Sequence, residues 1–450
     1  MHGKVFSISV AVNQHRDTNP AQNLADVKAF ERTIKICTAG TIVIVDEQRC
    51  SPATRAWCLF EWNHTLREYG FDGLFMTGMT AAERGRIIKA IDVEKSDAYS
   101  SIDKEMILGK IREVHGTTDQ FNFSLRMELL LEPISFKANV TALRKRCENI
   151  SFDLAPVVDW ISNTDSRILC IMAGAGQGTS TISAKLMFSI LDSRDKIISA
   201  VNFLKYSDRR RLDPVTTIKS LAWQLAKFIP SLMKHLYDIS NDPIQVQKVA
   251  TVSDMSLAFK ILFAVHLSSF TEAPVYILID ALDEADPVEQ QNPGYTGTIK
   301  SAGNLCLQLI LKHLQTLPSN YRLIVTSRPE AVCGQIESIF VNAFSKPVFL
   351  KPQNLIQDLE DGRVFVYDAV FSALNDTASL SKVPSPVLED VFGLYEKVFD
   401  SAFADLTVND ADCTRSLLGA IIVSQEPSML EKMGYSNCIP LLRLSFFVLF

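Results

Sequence analysis

"RILCIMAGAGQGTSTISAKLMFSIL", residues 167–191, joins an apolar run to a glycine-rich turn and then to a helical pattern. Ile168 to Met172 has the length and composition of a buried strand, and the segment that follows residue 178 has the pattern of a helix. A strand that passes through a tight turn directly into a helix is typical of a β–α–β unit. The stretch therefore predicts an α/β fold with a parallel sheet.

The glycine-rich turn is close to the phosphate-binding pattern G-x-x-x-x-G-K-[S/T], the P-loop. With Gly178 in the place of the second glycine, Ala173 stands where the first belongs, Thr179 replaces the lysine and Ser180 occupies the hydroxyl position. Such loops bind phosphates through backbone N–H groups, while the lysine contacts the outer phosphates and the hydroxyl coordinates Mg²⁺. The turn alone is compatible with a nucleotide site that lost its lysine or with a tight turn that binds nothing.

The small residues of this turn determine which kinds of ligand the loop could bind. Gly174, Gly176 and Gly178 permit a close approach of the backbone to a ligand, while Ser180 and Thr181 offer hydroxyls at the start of the helix. A dinucleotide-binding G-x-G-x-x-G pattern that begins at Gly174 would need glycine at position 179, where threonine stands. A dinucleotide site of that kind is therefore excluded.

Two later stretches place polar residues at the ends of buried strands. "VYILIDALDEAD", residues 275–286, ends in an acidic cluster, and "YRLIVTSRPE", residues 321–330, ends in two hydroxyls and an arginine. Taken singly, each is compatible with a solvated strand end. Ligands of open parallel sheets collect at the carboxyl ends of the strands, so three such signals in order favour a site.

The polar residues have distinct expected roles in such a site. Asp280 is placed to hold Mg²⁺ through water, and Asp283 and Glu284 are placed near the terminal phosphate. Arg328 is placed to contact a phosphate. The sequence therefore predicts a nucleotide and Mg²⁺ site at one edge of the sheet.

Several motifs in order resemble the NACHT-type P-loop NTPases of the STAND class, in their fungal and nephrocystin-like form. They are Trp160-Ile161, "AGAGQGTST" at 173–181, "SLAWQL" at 220–225, "LIDALDE" at 278–284 and "TSRPE" at 326–330. The resemblance covers residues 140–345. It implies that the loop binds ATP or ADP with Mg²⁺, and that nucleotide exchange switches the protein between closed and oligomeric states.

The resemblance also assigns the site residues. Those that line the phosphates are Gly174, Gly176, Gly178, Thr179, Ser180 and Thr181, those that hold Mg²⁺ are Ser180 and Asp280, and those that act in hydrolysis are Asp283, Glu284 and Arg328. The missing lysine removes a charge-assisted contact worth about 1.5–3 kcal/mol. That loss corresponds to an affinity about 10- to 100-fold weaker. Hydrolysis is expected to be poor or absent, because the lysine also stabilises charge in the transition state.

A second resemblance concerns the N-terminal part. "SPATRAWCLFEW", residues 51–62, resembles the helix start of TIR-type domains, in which the glutamate, here Glu61, cleaves NAD. The favoured interpretation is structural, with Trp57 and Leu59 in the core and Glu61 at the helix surface. The first strand of a TIR domain would precede Met1, so this part is expected to be incomplete.

Four segments are predicted. Their bounds are 1–135 for a partial TIR-like α/β domain, 136–166 for a helical connector, 167–345 for the NTPase core, and 346–450 for a helical and partial winged-helix region. The C-terminal segment is expected to lead into a repeat-built sensor, as in the family.

Composition narrows the class of protein. The chain has 450 residues, 47% hydrophobic and 21% charged, with a net charge of −6, which is ordinary for a folded protein and gives no support to nucleic-acid or membrane binding. The nine cysteines are scattered and form no C-x-x-C pair, so zinc binding is not indicated. A cytoplasmic protein is expected.

The predicted function is a nucleotide-dependent signalling switch that binds ATP or ADP and protein partners or further copies of itself. One alternative is a pseudo-NTPase scaffold that binds partners without nucleotide. The other is an NAD-cleaving enzyme that acts through Glu61.

Overall fold

The fold is given by a computed structural model. The residues that it describes are 32, 34–36, 40–44, 51–77, 80–98, 100–137, 140, 141, 143, 153–162, 165–173, 179–191, 198–263, 274–287, 303–329 and 331–351. The first 31 residues of the predicted TIR-like domain and the part of the predicted helical and winged-helix region after residue 351 lie outside this set.

Between residues 40 and 131, the described residues form two short parallel strands and four α-helices. The strands are β1 (Thr41–Ile44) and β2 (Leu74–Thr77), and the helices are α1 (Ala56–Tyr69), α2 (Ala81–Ala90), α3 (Ser101–His115) and α4 (Thr118–Leu131). Side-chain hydroxyls begin three of these helices, since Thr80, Ser100 and Thr117 each accept a hydrogen bond from the first turn. The alternation of strand and helix expected for this part is confirmed.

A five-stranded parallel sheet forms the centre of the molecule. Its strands are β3 (Ile168–Met172), β4 (Ile198–Phe203), β5 (Val275–Asp280), β6 (Tyr321–Ser327) and β7 (Val348–Leu350), in the order β4-β5-β6-β3-β7. β5 and β6 are buried along their whole length, as is usual for parallel strands covered on both faces. The predicted α/β fold with a parallel sheet is confirmed.

The sheet extends past residue 345. The short strand β7 pairs with β3, Leu169 facing Val348 and Ile171 facing Leu350. It consists of three apolar, half-buried residues, a run too short to mark a strand in the sequence as the longer runs of β5 and β6 do. The last strand of the core is therefore found in a stretch that sequence reasoning assigned to the following segment.

The strand order places the first strand, β3, between β6 and β7. The chain leaves β3 for the far edge at β4, returns through β5 and β6, and then crosses to the other side of β3. In open parallel sheets, ligands bind beyond the carboxyl ends of the strands where the winding reverses. That point lies at the end of β3, next to the glycine-rich turn.

Helices cover both faces of the sheet. They are α5 (Ala155–Ser162), α6 (Thr179–Leu191), α7 (Arg209–Leu212), α8 (Pro214–Ala226), α9 (Pro230–Asn241), α10 (Pro243–Thr251), α11 (Met255–Leu262), α12 (Leu305–Lys312), α13 (Ala331–Gly334) and α14 (Ile336–Ala343). One apolar cluster joins α5 and α6 to one face, and a larger cluster joins the other face to α8–α12 and to the N-terminal helices. The described N-terminal part and the sheet therefore share a continuous core.

The outer edge of β4 is closed by a side chain. Gln224 of α8 accepts a hydrogen bond from the Val201 N–H at 2.9 Å and donates one to the Val201 carbonyl at 2.9 Å. An amide that both donates and accepts satisfies the edge as a neighbouring strand would. This contact gives a structural role to the glutamine of "SLAWQL".

Replacement of Gln224 by leucine is expected to lower the free energy of unfolding by about 1–3 kcal/mol, because two backbone groups of β4 lose their partners. Denaturant unfolding of the two proteins measures the difference. Gln120→Leu, at an exposed position of α4, is the matched control and is expected to change stability by less than about 0.5 kcal/mol. Equal losses in both variants would contradict the edge role.

Candidate functional site

Asp280 is the centre of a polar cluster at the carboxyl edge of the sheet. It is 2% exposed, and three hydroxyl groups donate to its carboxylate. Ser180 donates to Oδ2 at 2.6 Å, while Ser183 and Thr326 donate to Oδ1 at 2.6 and 2.7 Å. The structure therefore brings the predicted metal ligands Ser180 and Asp280 into direct contact.

Local structure explains why these groups meet. Asp280 is the last residue of β5, and Thr326 lies near the end of the neighbouring strand β6. Ser180 and Ser183 are one turn apart on α6 and therefore lie on one face of that helix. The cluster thus joins the first turn of the helix after β3 to the ends of two central strands.

Ala281 fixes the turn that follows Asp280. Its backbone is left-handed, with φ 61° and ψ 54°, which is uncommon for a residue other than glycine. Its N–H donates to the Thr326 hydroxyl at 2.8 Å. Thr326 therefore accepts from the backbone and donates to Asp280, so the cluster is a connected network. Backbone strain held by such a network is characteristic of functional sites.

Burial raises the pKa of Asp280, and the hydrogen bonds from Ser180, Ser183 and Thr326 oppose that rise. A buried carboxylate with few charges around it is a ligand to which a cation is strongly attracted. Mg²⁺ in nucleotide sites is commonly held by one hydroxyl, one carboxylate and the phosphates. Ser180 and Asp280 are chemically suited to that arrangement.

Asp283 and Arg328 form an ion pair beside this cluster. The Arg328 guanidinium lies 3.1 Å from Asp283 Oδ2, and the Arg328 N–H donates to Oδ1 at 3.1 Å. Burial raises the pKa of Asp283, and Arg328 opposes the rise. The arginine side chain is 50% exposed, so its charge faces solvent at the edge of the sheet. Both predicted residues therefore lie together, each bound to the other.

The two remaining acidic residues of "DALDEAD" hold the surrounding loops. Glu284 accepts a hydrogen bond from the Tyr206 N–H at 2.9 Å, which ties the loop after β4 to the turn after β5. Asp286 accepts from the Asn304 amide at 2.7 Å and from the Val332 N–H at 2.8 Å. Glu284 and Asp286 therefore fix the shape of the edge.

The structure describes only some of the other residues that were predicted to bind phosphate. Thr179, Ser180 and Thr181 form the first turn of α6, all half-buried. Gly174, Gly176 and Gly178 lie outside the described residues. Ser183 was missed, although its spacing of three residues from Ser180 on a predicted helix indicated a shared face.

Glu61 lies on α1, away from these elements, two residues after Leu59, which is fully buried. Burial raises its pKa to about 7, and no described residue forms a hydrogen bond with its carboxylate. The expected core positions of Trp57 and Leu59 agree with the structure, since Trp57 packs against the core partly buried. Glu61 is more enclosed than a residue at the helix surface.

In the described parts of the chain, no group of three or more His, Cys, Asp and Glu side chains is placed to hold a metal ion. A site that shares Mg²⁺ with phosphate oxygens does not need such a group. None of the described helices has the length and apolar character required to cross a bilayer.

One region of the chain matches a known protein family. Residues 147–328 match the protein family described as "Nephrocystin 3, N-terminal". No curated protein matches the chain. The matched region contains β3 to β6 and every residue of the polar cluster around Asp280, so this part of the protein is nephrocystin-like.

Proposed function

We propose that the protein is a nucleotide-dependent switch of the NACHT/STAND type, built on a P-loop NTPase fold, which binds ATP or ADP with Mg²⁺ and hydrolyses it poorly or not at all. The observation that carries the proposal is the 2.6 Å hydrogen bond between Ser180 and Asp280. It joins the hydroxyl that follows a glycine-rich turn to the acid that ends a central strand, which are the two protein groups that hold Mg²⁺ in P-loop enzymes.

The proposed roles follow from the geometry. Ser180 and Asp280 would hold Mg²⁺, which would neutralise phosphate charge there, while Ser183 and Thr326 keep the carboxylate oriented. The start of α6, with the backbone N–H groups of Thr179 and its neighbours, would face the phosphates. Binding through backbone groups and Mg²⁺ does not depend on the missing lysine.

Poor hydrolysis has two physical reasons. Thr179 supplies no charge to the outer phosphates, where transition-state charge develops. Arg328 is bound to Asp283 and would have to leave that ion pair to contact a γ-phosphate. The site is therefore better suited to holding a nucleotide than to cleaving it.

One structural observation favours the alternative of a scaffold that binds no nucleotide. The carboxylate of Asp280 is satisfied by three hydroxyl groups of the protein itself, and the site is therefore stable without a cation. In such a scaffold the polar cluster would hold α6 against β5 and β6. Titration with nucleotide separates the two functions.

Thr179→Lys is expected to bind Mg·ADP and Mg·ATP about 10- to 100-fold more tightly than the wild type, because it restores a charge-assisted contact of about 1.5–3 kcal/mol. Calorimetric titration of the full chain measures both affinities. Thr179→Met, similar in length but without charge, is the matched control and is expected to leave affinity unchanged. The affinity of Asp280→Asn for ADP and ATP is expected to depend much less on Mg²⁺ than that of the wild type.

The outcomes are distinct. Binding by the wild type supports the switch. Binding by the lysine variant alone indicates a former nucleotide site that now serves as a scaffold. If neither protein binds while circular dichroism shows both folded, the nucleotide proposal fails.

A further inference from the structure

Residues 204–212 run from the end of β4 to the end of α7, and their first part is bound to the turn after β5. The Leu204 N–H donates to the Asp280 carbonyl at 3.1 Å, and the Tyr206 N–H donates to the Glu284 carboxylate at 2.9 Å. We call residues 204–212 the edge tether. Its beginning is therefore fixed at two points to the polar edge of the sheet.

The other end of the edge tether is bound to the N-terminal part through Arg210. The Arg210 guanidinium forms an ion pair with Asp72 and donates from Nη2 to the Glu132 carbonyl at 2.8 Å. It also lies 5.1 Å from the centroid of the Phe71 ring. Phe71 and Asp72 lie directly before β2, and Glu132 directly follows α4. A partly exposed ion pair contributes little alone, so this contact depends on all three groups together.

The backbone of the edge tether is folded tightly between these two ends. The Asp208 N–H donates to the Lys205 carbonyl at 2.9 Å, and the Arg210 N–H donates to the Asp208 carboxylate at 3.1 Å. Arg210 follows Leu204 by only six positions. A short segment whose groups are bonded to one another moves as a unit, so a displacement at one end reaches the other.

Glu284 is the contact of the edge tether that a ligand at the sheet edge would change. The sequence places this carboxylate near a terminal phosphate, and in the structure it accepts from the Tyr206 N–H. If the carboxylate turned toward a ligand, it would release that N–H. Glu284 therefore has one arrangement that holds the tether and one that does not, as a coupling between two states requires.

We infer that the edge tether couples the polar edge of the sheet to the N-terminal part, so that loss of the Tyr206–Glu284 hydrogen bond loosens the structure around β2. Coupling is reciprocal, and loss of the Arg210 contacts therefore also loosens the turn after β5. The coupling is a property of contacts within the protein and does not require a nucleotide. Its use, to pass the nucleotide state to the N-terminal part, rests on the proposed function.

Hydrogen exchange of the full chain without added nucleotide, followed by mass spectrometry, tests the coupling. Glu284→Met removes the acceptor of the Tyr206 N–H, and the amides of residues 71–77 are expected to exchange about fivefold faster or more. The amides of β6, a buried central strand, are the internal reference and are expected to keep their rate. Glu284→Gln, whose amide oxygen can still accept from the Tyr206 N–H, is the matched control and is expected to exchange as the wild type does.

The reciprocal arm of the experiment starts at Arg210. Arg210→Met is expected to raise exchange at residues 281–286 about fivefold or more, whereas Arg209→Met, at an exposed position of the same helix, is expected to leave it unchanged. In the protein that carries both Glu284→Met and Arg210→Met, exchange at residues 71–77 is expected to equal that of Arg210→Met alone, because the tether is already detached.

Three results would overturn the inference. They are unchanged exchange at residues 71–77 in Glu284→Met, equal acceleration of β6 in that variant, and effects of the two substitutions on residues 71–77 that multiply as independent changes do. If circular dichroism shows Glu284→Met to be unfolded, the response of residues 281–286 to Arg210→Met decides. Because no nucleotide is added, failure of the coupling is distinct from failure to bind ATP or ADP.

Discussion

Replacement of Arg322 by methionine is expected to lower the free energy of unfolding by about 3–5 kcal/mol. Arg322 is 5% exposed on β6, and it donates to the carbonyl of Ser166 at 3.1 Å, to that of Ile161 at 2.7 Å and to that of Trp160. Its guanidinium also lies over the Trp160 ring, 3.9 Å from the centroid. Methionine would fill part of the space but would leave three buried carbonyl groups without a donor.

Denaturant unfolding of the full chain measures this loss. Lys346→Met, which removes an exposed ion pair with Asp165 on a neighbouring stretch, is the matched control and is expected to cost less than about 1 kcal/mol. The loss of stability in Arg322→Lys is expected to lie between those of the two methionine variants. Lysine keeps the positive charge, but its single ammonium cannot donate to all three carbonyl groups as the planar guanidinium does. A methionine variant within about 1 kcal/mol of the wild type would show that α5 does not depend on this contact.

Glu61→Gln is expected to stabilise the protein by about 3 kcal/mol at pH 8 and to leave its stability unchanged at pH 4. Burial raises the pKa of Glu61 from 4.5 to about 7, and each pKa unit corresponds to about 1.4 kcal/mol. The pKa of Glu61 is higher in the folded protein than in the unfolded chain. The stability that the protonated Glu61 contributes is therefore fully present below pH 4.5 and is lost as the pH rises to about 7. Glutamine has no charge to bury and escapes this loss.

Urea unfolding of both proteins at several pH values between 4 and 8 tests the prediction. Glu105→Gln, a substitution of an exposed glutamate on α3, is the control and is expected to give a curve parallel to that of the wild type. Curves for Glu61→Gln and the wild type that stay parallel over the whole range would show that Glu61 is hydrated in the folded protein. The same samples can be assayed for NAD consumption, which is expected to be absent from both if Glu61 has a purely structural role.

Apolar runs were the features of the sequence that predicted the fold. β3, β5 and β6 are continuous buried runs bounded by turns, so their length and composition were sufficient. The polar residues at their ends were identified because carboxyl ends of parallel strands share an edge. β7 was not predicted, since an apolar run of three residues is too short to indicate a strand.

Contacts between distant residues could not be predicted in the same way. Arg322 bonds to carbonyl groups about 160 positions earlier in the chain, and no local pattern marks those groups as acceptors. Lys219 is the one charged residue of α8, and no local pattern marks it as the buried residue that it is, only 8% exposed. Such positions follow from the packing of whole elements, which periodicity does not specify.

The amide of Gln224 has a consequence for how copies of this protein can meet. An uncovered outer strand is a template for another chain, and by occupying the Val201 backbone groups the amide blocks growth of the sheet at β4. In the described residues, β7 is the other outer strand of this sheet, and it is only three residues long. Within the described residues, growth of this sheet by a strand of another copy is therefore disfavoured at both outer strands.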